Sequence, residues 1–498
     1  MHKDKRLILE GKTKEYKTPK NILLLNPGSP GIMMRGLIRE RPTQFGFCWP
    51  SVDLILISGV LNEKGYHLSY TDASVDGMSS EQVLKQIKNE NIDVVVSLFS
   101  RLSQENDIVF LKELKKGKPS LVMVILPMIN HVLNPEKAVD FLNTHDWLDA
   151  TVLSVINNDL DQYLKGEYRE GLVGICYKDN GQVHLGVKKD IECNDAVLPI
   201  PRHDLFKNKK YFLPQSRKLY ATTTMMQFGC SFKCDFCLDR KAYPKVWCRS
   251  PENMLEEFEA IASYGFNEVY IRDLTFGINR SRVERFCELL IEKKVPLSWV
   301  CTTRIDLVDF EFLSLMKKAG CHCIEFGIES GIDATKELHQ KGIKNAQIKQ
   351  VFDDCRRLGI ETTMFVMIGF PEESMEDMKK SLQFCFDLKG DFLALNIANV
   401  LPGTELERIL IDKEKQTKGN ADGLKKLSYD KQNLSHPTIS DEEMNELYRK
   451  TIIRFYFRLS FILNRFLKLR SLGAVLKVLS IGVFVIKSAL FKAKEKRI

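Results

Sequence analysis

Two series of short apolar runs, each followed by a stretch with helical spacing, constrain this chain more than any other feature. The first opens with Asn21-Ile-Leu-Leu-Leu-Asn26 and a helical stretch from about Ser51 to Lys64. It continues through His67-Leu-Ser-Tyr-Thr-Asp72, an amphipathic stretch near Ser80 to Glu90, and Ile92-Asp-Val-Val-Val-Ser97, and reaches Leu121-Val-Met-Val-Ile-Leu126. Strands that are apolar along their whole length are buried on both faces, and alternation with helices supplies that cover through a parallel sheet. Residues 20–165 are therefore expected to form a doubly wound, Rossmann-like α/β domain of flavodoxin-like strand order. Its ligand site should lie at the carboxyl ends of the strands.

Between Leu172 and Val187 the pattern changes to two short strands around Asp179-Asn-Gly181, a hairpin signal. The stretch Leu198-Pro-Ile-Pro-Arg-His-Asp-Leu205 is punctuated by proline and reads as a linker, so residues 166–218 are set apart as a connector. The second series follows, with apolar strands at Thr223 to Gln227, Glu268 to Ile271, Leu297 to Cys301, Cys323 to Gly327, Thr363 to Ile368 and Phe392 to Ala398. Pro251 to Ser263, Arg280 to Glu292 and Glu311 to Lys318 are among the helical stretches between them. Six regular strand–helix units favour a partial barrel or a long open sheet over residues 219–405, with residues 406–498 as a helical region.

A chain of 498 residues with 44% apolar content holds two or three domains. Thirteen cysteines, an odd number in a large chain that opens on the polar extension 1–19, are expected to be reduced thiols in a cytoplasmic protein. The net charge of +8 is concentrated: residues 449–498 carry thirteen lysines and arginines against the single acid Glu495, so residues 1–448 sum to −4. A nucleic-acid enzyme would spread positive charge over its substrate domain, and no nucleic-acid partner is expected. A tail both basic and apolar points to an anionic membrane surface, such as the inner face of the cytoplasmic membrane.

In that tail Arg454, Arg458 and Arg465 are spaced to fall broadly on one helical face. Val478 to Ile486 is its longest uninterrupted apolar run, too short for a bilayer core that needs about twenty residues. Helices packed over the open side of the barrel are the alternative, and the two roles are compatible.

The chemistry is carried by Met226-Gln-Phe-Gly-Cys230-Ser-Phe-Lys-Cys234-Asp-Phe-Cys237. Closely spaced thiolates on one loop converge on an iron–sulfur cube, and three protein ligands leave one iron open. A zinc site needs a fourth ligand, commonly from a second Cys-x2-Cys pair, and none lies near; Cys248 is distant in sequence.

With these residues in view, positions 220–405 resemble the radical SAM superfamily. The resemblance implies a partial (β/α)6 barrel, a 4Fe–4S cluster on Cys230, Cys234 and Cys237, and S-adenosylmethionine (SAM) bound to the open iron. Phe236 matches the position whose backbone meets the adenine. Phe326-Gly-Ile-Glu-Ser-Gly331 resembles the family's Gly-x-Glu-Ser segment and implies that Glu329 contacts SAM. Phe365-Val-Met-Ile-Gly-Phe-Pro-Glu-Glu-Ser374, with Gly369, is similar to the fifth-strand motif that lines the adenine pocket, and Leu401-Pro-Gly-Thr404 matches the end of the sixth strand. Relatives carry Pro-Gly-Glu-Thr where this chain has Pro371-Glu-Glu-Ser374, which puts the tight glycine turn in doubt. Asp273, in Tyr270-Ile-Arg-Asp-Leu-Thr-Phe276, resembles the Asp-Asp-x-Phe segment; it either meets SAM or substrate or caps the next helix. Arg304 is either a site residue or an exposed ion-pair partner.

The domain order is similar to that of cobalamin-binding radical SAM enzymes, with Trp49-Pro50, Gly65-Tyr-His67 and Thr71-Asp-Ala73 as supporting positions. Asp72-Ala-Ser-Val-Asp-Gly77 lacks the histidine of Asp-x-His-x-x-Gly, but relatives in this group often lack it as well, and its absence does not decide the case. A second loss weighs against bound cobalamin: Leu126-Pro-Met-Ile-Asn-His-Val132 lacks the Gly-Gly-x-His that lets backbone approach the corrin. The Gly-Glu-x-Glu segment is likewise replaced by Ser154-Val-Ile-Asn-Asn158, and His131 is a lone histidine. The methylthiotransferase branch is the less attractive match, because it carries a second cysteine-ligated cluster ahead of the first and this chain has only Cys48 before Cys176.

The resulting expectation is an enzyme that cleaves SAM to a 5′-deoxyadenosyl radical and abstracts hydrogen from a hydrophobic or membrane-associated small molecule, such as a lipid or isoprenoid. Its electron would come from a flavodoxin or ferredoxin; methyl transfer, cyclisation and oxidation all remain open as outcomes. The rival readings are a cobalamin-dependent methyltransferase and an iron–sulfur scaffold or electron carrier that leaves SAM intact.

Overall fold

Asn21–Asn26 (β1), His67–Asp72 (β2), Val94–Ser97 (β3), Val122–Ile125 (β4) and Ala150–Val152 (β5) pair in parallel in the order β2-β1-β3-β4-β5. This is the flavodoxin-like order, and it follows from strands such as Leu23-Leu-Leu25 and Val94-Val-Val96, which are fully buried on both faces. The computed structural model describes residues 20–36, 40–43, 47–126, 128–167, 172–186, 194–398, 400–401, 403–418, 436–470, 472–476 and 478–480. The polar extension 1–19 and most of the run Val478 to Ile486 lie outside the described residues.

The hairpin is not a separate connector. Ile175–Asp179 (β6) pairs antiparallel with β5, and Gln182–Leu185 (β7) with β6, so the hairpin extends the sheet. Ile175, Cys176 and Tyr177 are buried in its core, whereas the edge strand β7 shows Gln182 and His184 to solvent. Asn180 and Gly181 both adopt positive φ, 48° and 81°, as a two-residue hairpin turn requires.

The helix Val52–Glu63 (α1) is buried from Val52 to Leu61 because it lies between this sheet and the second one. The proline-rich stretch expected to be a linker is packed against it: a Cβ at Gly59 would stand 2.5 Å from the Pro199 carbonyl oxygen. His203 in that strap is fully buried, 2.9 Å from both Thr222 Oγ1 and Glu257 Oε1. Burial raises the Glu257 pKa, but Arg249 and His203 outweigh it and hold the carboxyl at about 2.

Ala221–Thr224 (β8), Glu268–Ile271 (β9), Ser298–Thr303 (β10), Cys321–Glu329 (β11), Glu361–Ile368 (β12) and Phe392–Ile397 (β13) form one parallel sheet in sequence order. Its outer face buries Trp299 and the helix side chains Phe258, Phe286, Phe312 and Phe352. Polar groups occupy the inner face: Glu325 accepts from Gln215 Nε2 at 2.7 Å, Thr302 Oγ1 at 2.8 Å and the Tyr270 hydroxyl. The amino-terminal domain reaches this interior through Trp49-Pro50, whose Pro50 carbonyl accepts from Thr223 Oγ1 at 3.1 Å. Two short helices matter below, Ile129–Leu133 (α2) and Asp239–Ala242 (α3).

The carboxyl-terminal arginines do not share one face, because the chain turns at Phe457 and Arg458 between Asp441–Tyr456 (α4) and Leu459–Lys468 (α5). Arg454 stacks on Phe386 and Arg458 on Phe455, whereas Arg465 is buried and donates to the Gln215 and Ser216 carbonyls. Both helices pack on the barrel. Tyr456 Oη bonds the Leu393 N–H and carbonyl on the outer strand β13 at 3.1 and 2.8 Å, and Lys468 pairs with Glu361 and Asp391 at 3.2 and 3.0 Å. Among the described residues no helix is long and apolar enough to cross a membrane.

Candidate active site

After β8 the chain enters a strand of two residues, Gln227–Phe228, which pairs with Trp247–Arg249 and launches the cysteine loop. Gly229 must be glycine: its φ is 85°, and a Cβ would lie 2.1 Å from the Lys245 carbonyl oxygen. Cys230, Cys234 and Cys237 are partly exposed, whereas every other described cysteine is buried. Cys248 is buried, with its thiol 3.6 Å from Gln227 Oε1.

Burial pushes the Cys234 and Cys237 thiols up. At Cys234 the cations Lys341 and Arg304 pull the other way. Thiols on one loop, beside cations that offset thiolate charge, are a donor set suited to an iron–sulfur cluster.

Arg304 is not an exposed ion-pair partner. It is buried, bonds Asp306 through two N–H groups at 2.8 and 2.9 Å and the Lys341 carbonyl at 2.6 Å. Its guanidinium lies 3.8 Å from the Phe232 ring centre, and Nη1 is 3.8 Å from Cys234 Sγ. Glu329, with φ 64°, accepts from Lys341 Nζ at 2.7 Å. A Cβ at Gly327 would come within 2.6 Å of both groups, so glycine there makes room for the pair.

Asp273 does not cap the next helix, Arg280–Lys293, whose cap position is Asn279. Its Oδ1 accepts the N–H groups of Met226 and Gln227 at 2.8 and 3.1 Å, bracing the chain just ahead of the cysteines. Its Oδ2 is buried without a hydrogen-bond partner among the described residues, and burial pushes the carboxyl up to about 7.

The doubted turn after β12 is present. Gly369 carries the positive φ, 85°, and its N–H and that of Phe370 donate to Glu373 Oε2 at 2.9 and 3.1 Å. The Glu373 N–H closes the turn on the Phe370 carbonyl at 2.9 Å. Glu372, where relatives carry glycine, reaches His339 Nε2 at 2.6 Å. The other ring nitrogen, Nδ1, is 3.0 Å from both oxygens of Asp235, and the ring stacks on Phe370 at 4.1 Å. Phe236 completes the aromatic group, 5.9 Å from Phe370. Burial lowers the His339 pKa, but the two carboxylates prevail and raise it to about 9. Sequence reading missed His339; its one signal was Asp235, an acid inside the cysteine motif.

At the carboxyl edge of the first sheet, α2 occupies the stretch where relatives carry the glycine pair. His131 is buried there, with Nδ1 unpartnered among the described residues, and burial pushes it down to about 4. Val132 packs with Ala242 and Tyr243, joining α2 to α3 just beyond the cysteine loop. The residues in place there do not fit a corrin approached through glycine backbone.

Residues 224–385 match the Radical SAM superfamily model. The barrel is a radical SAM domain. An uncharacterized methyltransferase of Pyrococcus horikoshii is 25% identical over 425 residues, 83% of this chain and 89% of that protein. The anaerobic magnesium-protoporphyrin IX monomethyl ester cyclase of Rubrivivax gelatinosus is 24% identical over 378 residues, 73% of this chain and 67% of that protein. Both sheets of this chain find their fold in OxsB, a cobalamin-dependent radical enzyme solved with aqua-cobalamin and SAM. The TM-score is 0.68 at 17% identity, covering 95% of this chain and 72% of that one. The methyltransferase TsrM from Kitasatospora setae gives 0.61 at 14% identity, covering 80% and 79%. The cofactors of the radical SAM domain are a 4Fe–4S cluster and SAM.

Proposed function

We propose that Cys230, Cys234 and Cys237 hold the 4Fe–4S cluster through three thiolates, and that the enzyme makes a 5′-deoxyadenosyl radical to abstract hydrogen from a hydrophobic small molecule. The carrying observation is the cysteine loop itself: three partly exposed thiols, Arg304 and Lys341 acting on Cys234, and Cys248 buried on Gln227. A cluster held there would supply the single electron that cleaves SAM, and the products to be expected are methionine and 5′-deoxyadenosine once a substrate hydrogen has been taken. Phe236 and Phe370 would flank the adenine, Glu329 and Arg304 would hold polar groups of SAM, and Asp273 would keep the loop in position.

Anaerobic reconstitution, reduction with dithionite or a flavodoxin system, and chromatography for 5′-deoxyadenosine test this reading. A reduced, SAM-responsive cluster that yields the nucleoside supports it; a cluster whose spectrum ignores SAM would make the protein an electron carrier.

Cobalamin-dependent methyl transfer is a second reading, favoured by the likeness to OxsB and TsrM across both domains and by the methyltransferase name of the Pyrococcus relative. A corrin between the first sheet and the cysteine loop would compete with the α2–α3 contact. Corrin absorbance after purification from cobalamin-fed cells, with S-adenosylhomocysteine as product, would favour that reading over the first.

We also propose peripheral contact with a membrane. Leu459, Leu463 and Leu467 recur along one side of α5 and are 71%, 55% and 78% exposed, in a carboxyl-terminal region with a surplus of twelve positive charges.

A further inference from the structure

Five arginines are buried among the described residues, and four have partners. Arg35 bonds Asp107 and Asn26, Arg249 bonds Asn253 and Glu257, Arg304 bonds Asp306, and Arg465 bonds two carbonyls. Arg272 is the exception. It is 8% exposed, and its guanidinium has no hydrogen bond or ion pair among the described residues. Its backbone N–H is committed to the Thr224 carbonyl at 2.7 Å. The side chain lies over Tyr270, 4.6 Å from the ring centre, and near Trp49 at 5.4 Å.

A guanidinium stays protonated at any physiological pH, so burial cannot neutralise it. Two aromatic faces offset part of the lost hydration. They leave unused a planar fork of N–H donors whose shape matches a carboxylate or phosphate. The Arg272 nitrogens are not sealed from solvent, so the unused fork is open to an incoming anion.

The place is informative as well. Arg272 directly follows β9 and precedes Asp273, which braces the approach to the cysteines. Trp49 comes from the amino-terminal domain, so the guanidinium stands in the seam between the two sheets. Ligand sites commonly occupy such seams. Apolar surface lies beside it: Trp49 packs with Met34 on one side and with Leu213 and Tyr270 on the other.

We infer that Arg272 and Trp49 form a binding site for the anionic group, carboxylate or phosphate, of an otherwise apolar substrate. This deepens the proposed function by naming the substrate class, and it rests on the barrel mouth being the reaction site. SAM also has a carboxylate, but the proposed chemistry commits that group to the cluster, leaving Arg272 for substrate.

The test is calorimetric titration of the reconstituted full chain with octanoate, octyl phosphate and octanol, for the natural protein and for Arg272→Gln and Arg272→Lys. One of the anions should bind at least about tenfold more tightly than the alcohol, the worth of a charge-assisted hydrogen bond. Arg272→Gln should erase that preference, and Arg272→Lys should keep part of it. Equal binding of anions and alcohol by the natural protein, or a preference that survives in Arg272→Gln, overturns the inference. SAM titration is the second arm. Unchanged SAM affinity in Arg272→Gln is expected; a tenfold loss there would assign the arginine to SAM and overturn the substrate assignment.

Thermal melting of Arg272→Met, without ligand, separates binding from a structural role. An unchanged or higher midpoint is expected, because an unpaired charge is removed; a clear fall would make Arg272 a structural residue. None of these readouts requires SAM cleavage, so failure of the radical reading is detected separately by 5′-deoxyadenosine.

Discussion

Asp235, lodged between Cys234 and Phe236, holds His339 Nδ1 at 3.0 Å through both carboxylate oxygens. With Glu372 on the other ring nitrogen, His339 ties the cysteine loop to the turn after β12. The folded-state pKa of about 9 lies above the ordinary 6.5, so the stabilisation is full below pH 6.5 and lost as pH rises through 9. His339→Gln is expected to lower stability by about 2–3 kcal/mol at pH 6 and by much less at pH 10. Urea melts at the two pH values check this, and a pH-independent difference would mean that packing on Phe370, not charge, is what the histidine contributes.

The cysteine variants make a sharper demand. Replacing any one of Cys230, Cys234 and Cys237 by Ala should reduce reconstituted iron well below about four per chain and depress 5′-deoxyadenosine formation at least about a hundredfold. Cys248→Ala should retain both, at a stability loss of about 1 kcal/mol for a small buried side chain. Loss of iron from Cys248→Ala would place a fourth protein ligand on the cluster and remove the coordination site that SAM needs.

Asp273 has the opposite pH signature from an ion-paired acid. Its folded pKa of about 7 exceeds the ordinary 3.8, so its contribution is full below 3.8 and lost as pH rises through 7. Asn at this position can still accept the Met226 and Gln227 N–H bonds. Asp273→Asn should therefore exceed the natural protein in stability at pH 8, by on the order of 2–4 kcal/mol, and match it near pH 4. Chemical denaturation measures this; a variant less stable at pH 8 would mean the carboxylate is ionised and partnered. Asp273→Ala leaves both N–H groups unpaired and should slow 5′-deoxyadenosine formation by misplacing the loop.

Much of the architecture was legible because each strand is a short apolar run between turn signals. β1, β2 and β9 match the sequence reading to the residue. β11 and β12 begin two residues earlier than their apolar runs suggest, since His322 and Glu361 interrupt the pattern. Those polar side chains belong to the barrel interior, 3.7 Å apart, where an alternation of apolar and polar residues carries no sign of which end is buried. The site was less legible. His339 depends on partners 104 and 33 positions away, and Arg272 differs from other arginines only in what the fold withholds from it. Motif spacing reveals ligands on one loop; it does not reveal a contact made by closing the sheet.

The carboxyl-terminal helix separates two contributions that its sequence mixes. Arg465 and Lys468 are directed into the barrel base, where Lys468, Arg217 and His322 help hold Glu361 at about 2 against the effect of burial. The outward side of the same helix presents Leu459, Leu463 and Leu467. Substituting Glu for Leu463 and Leu467 should leave the melting temperature nearly unchanged, because neither leucine is packed, while removing apolar area and adding like charge against an anionic bilayer. Flotation with vesicles of phosphatidylglycerol and phosphatidylethanolamine should show binding that falls about tenfold or more in the double variant, since each buried leucine is worth about 1.5–3 kcal/mol. Lys468→Met should do the reverse, lowering the melting temperature through the lost ion pairs with Glu361 and Asp391 and changing flotation little. Equal flotation of the double variant and the natural protein would leave the exposed leucines without a lipid role, whatever the radical SAM domain acts on.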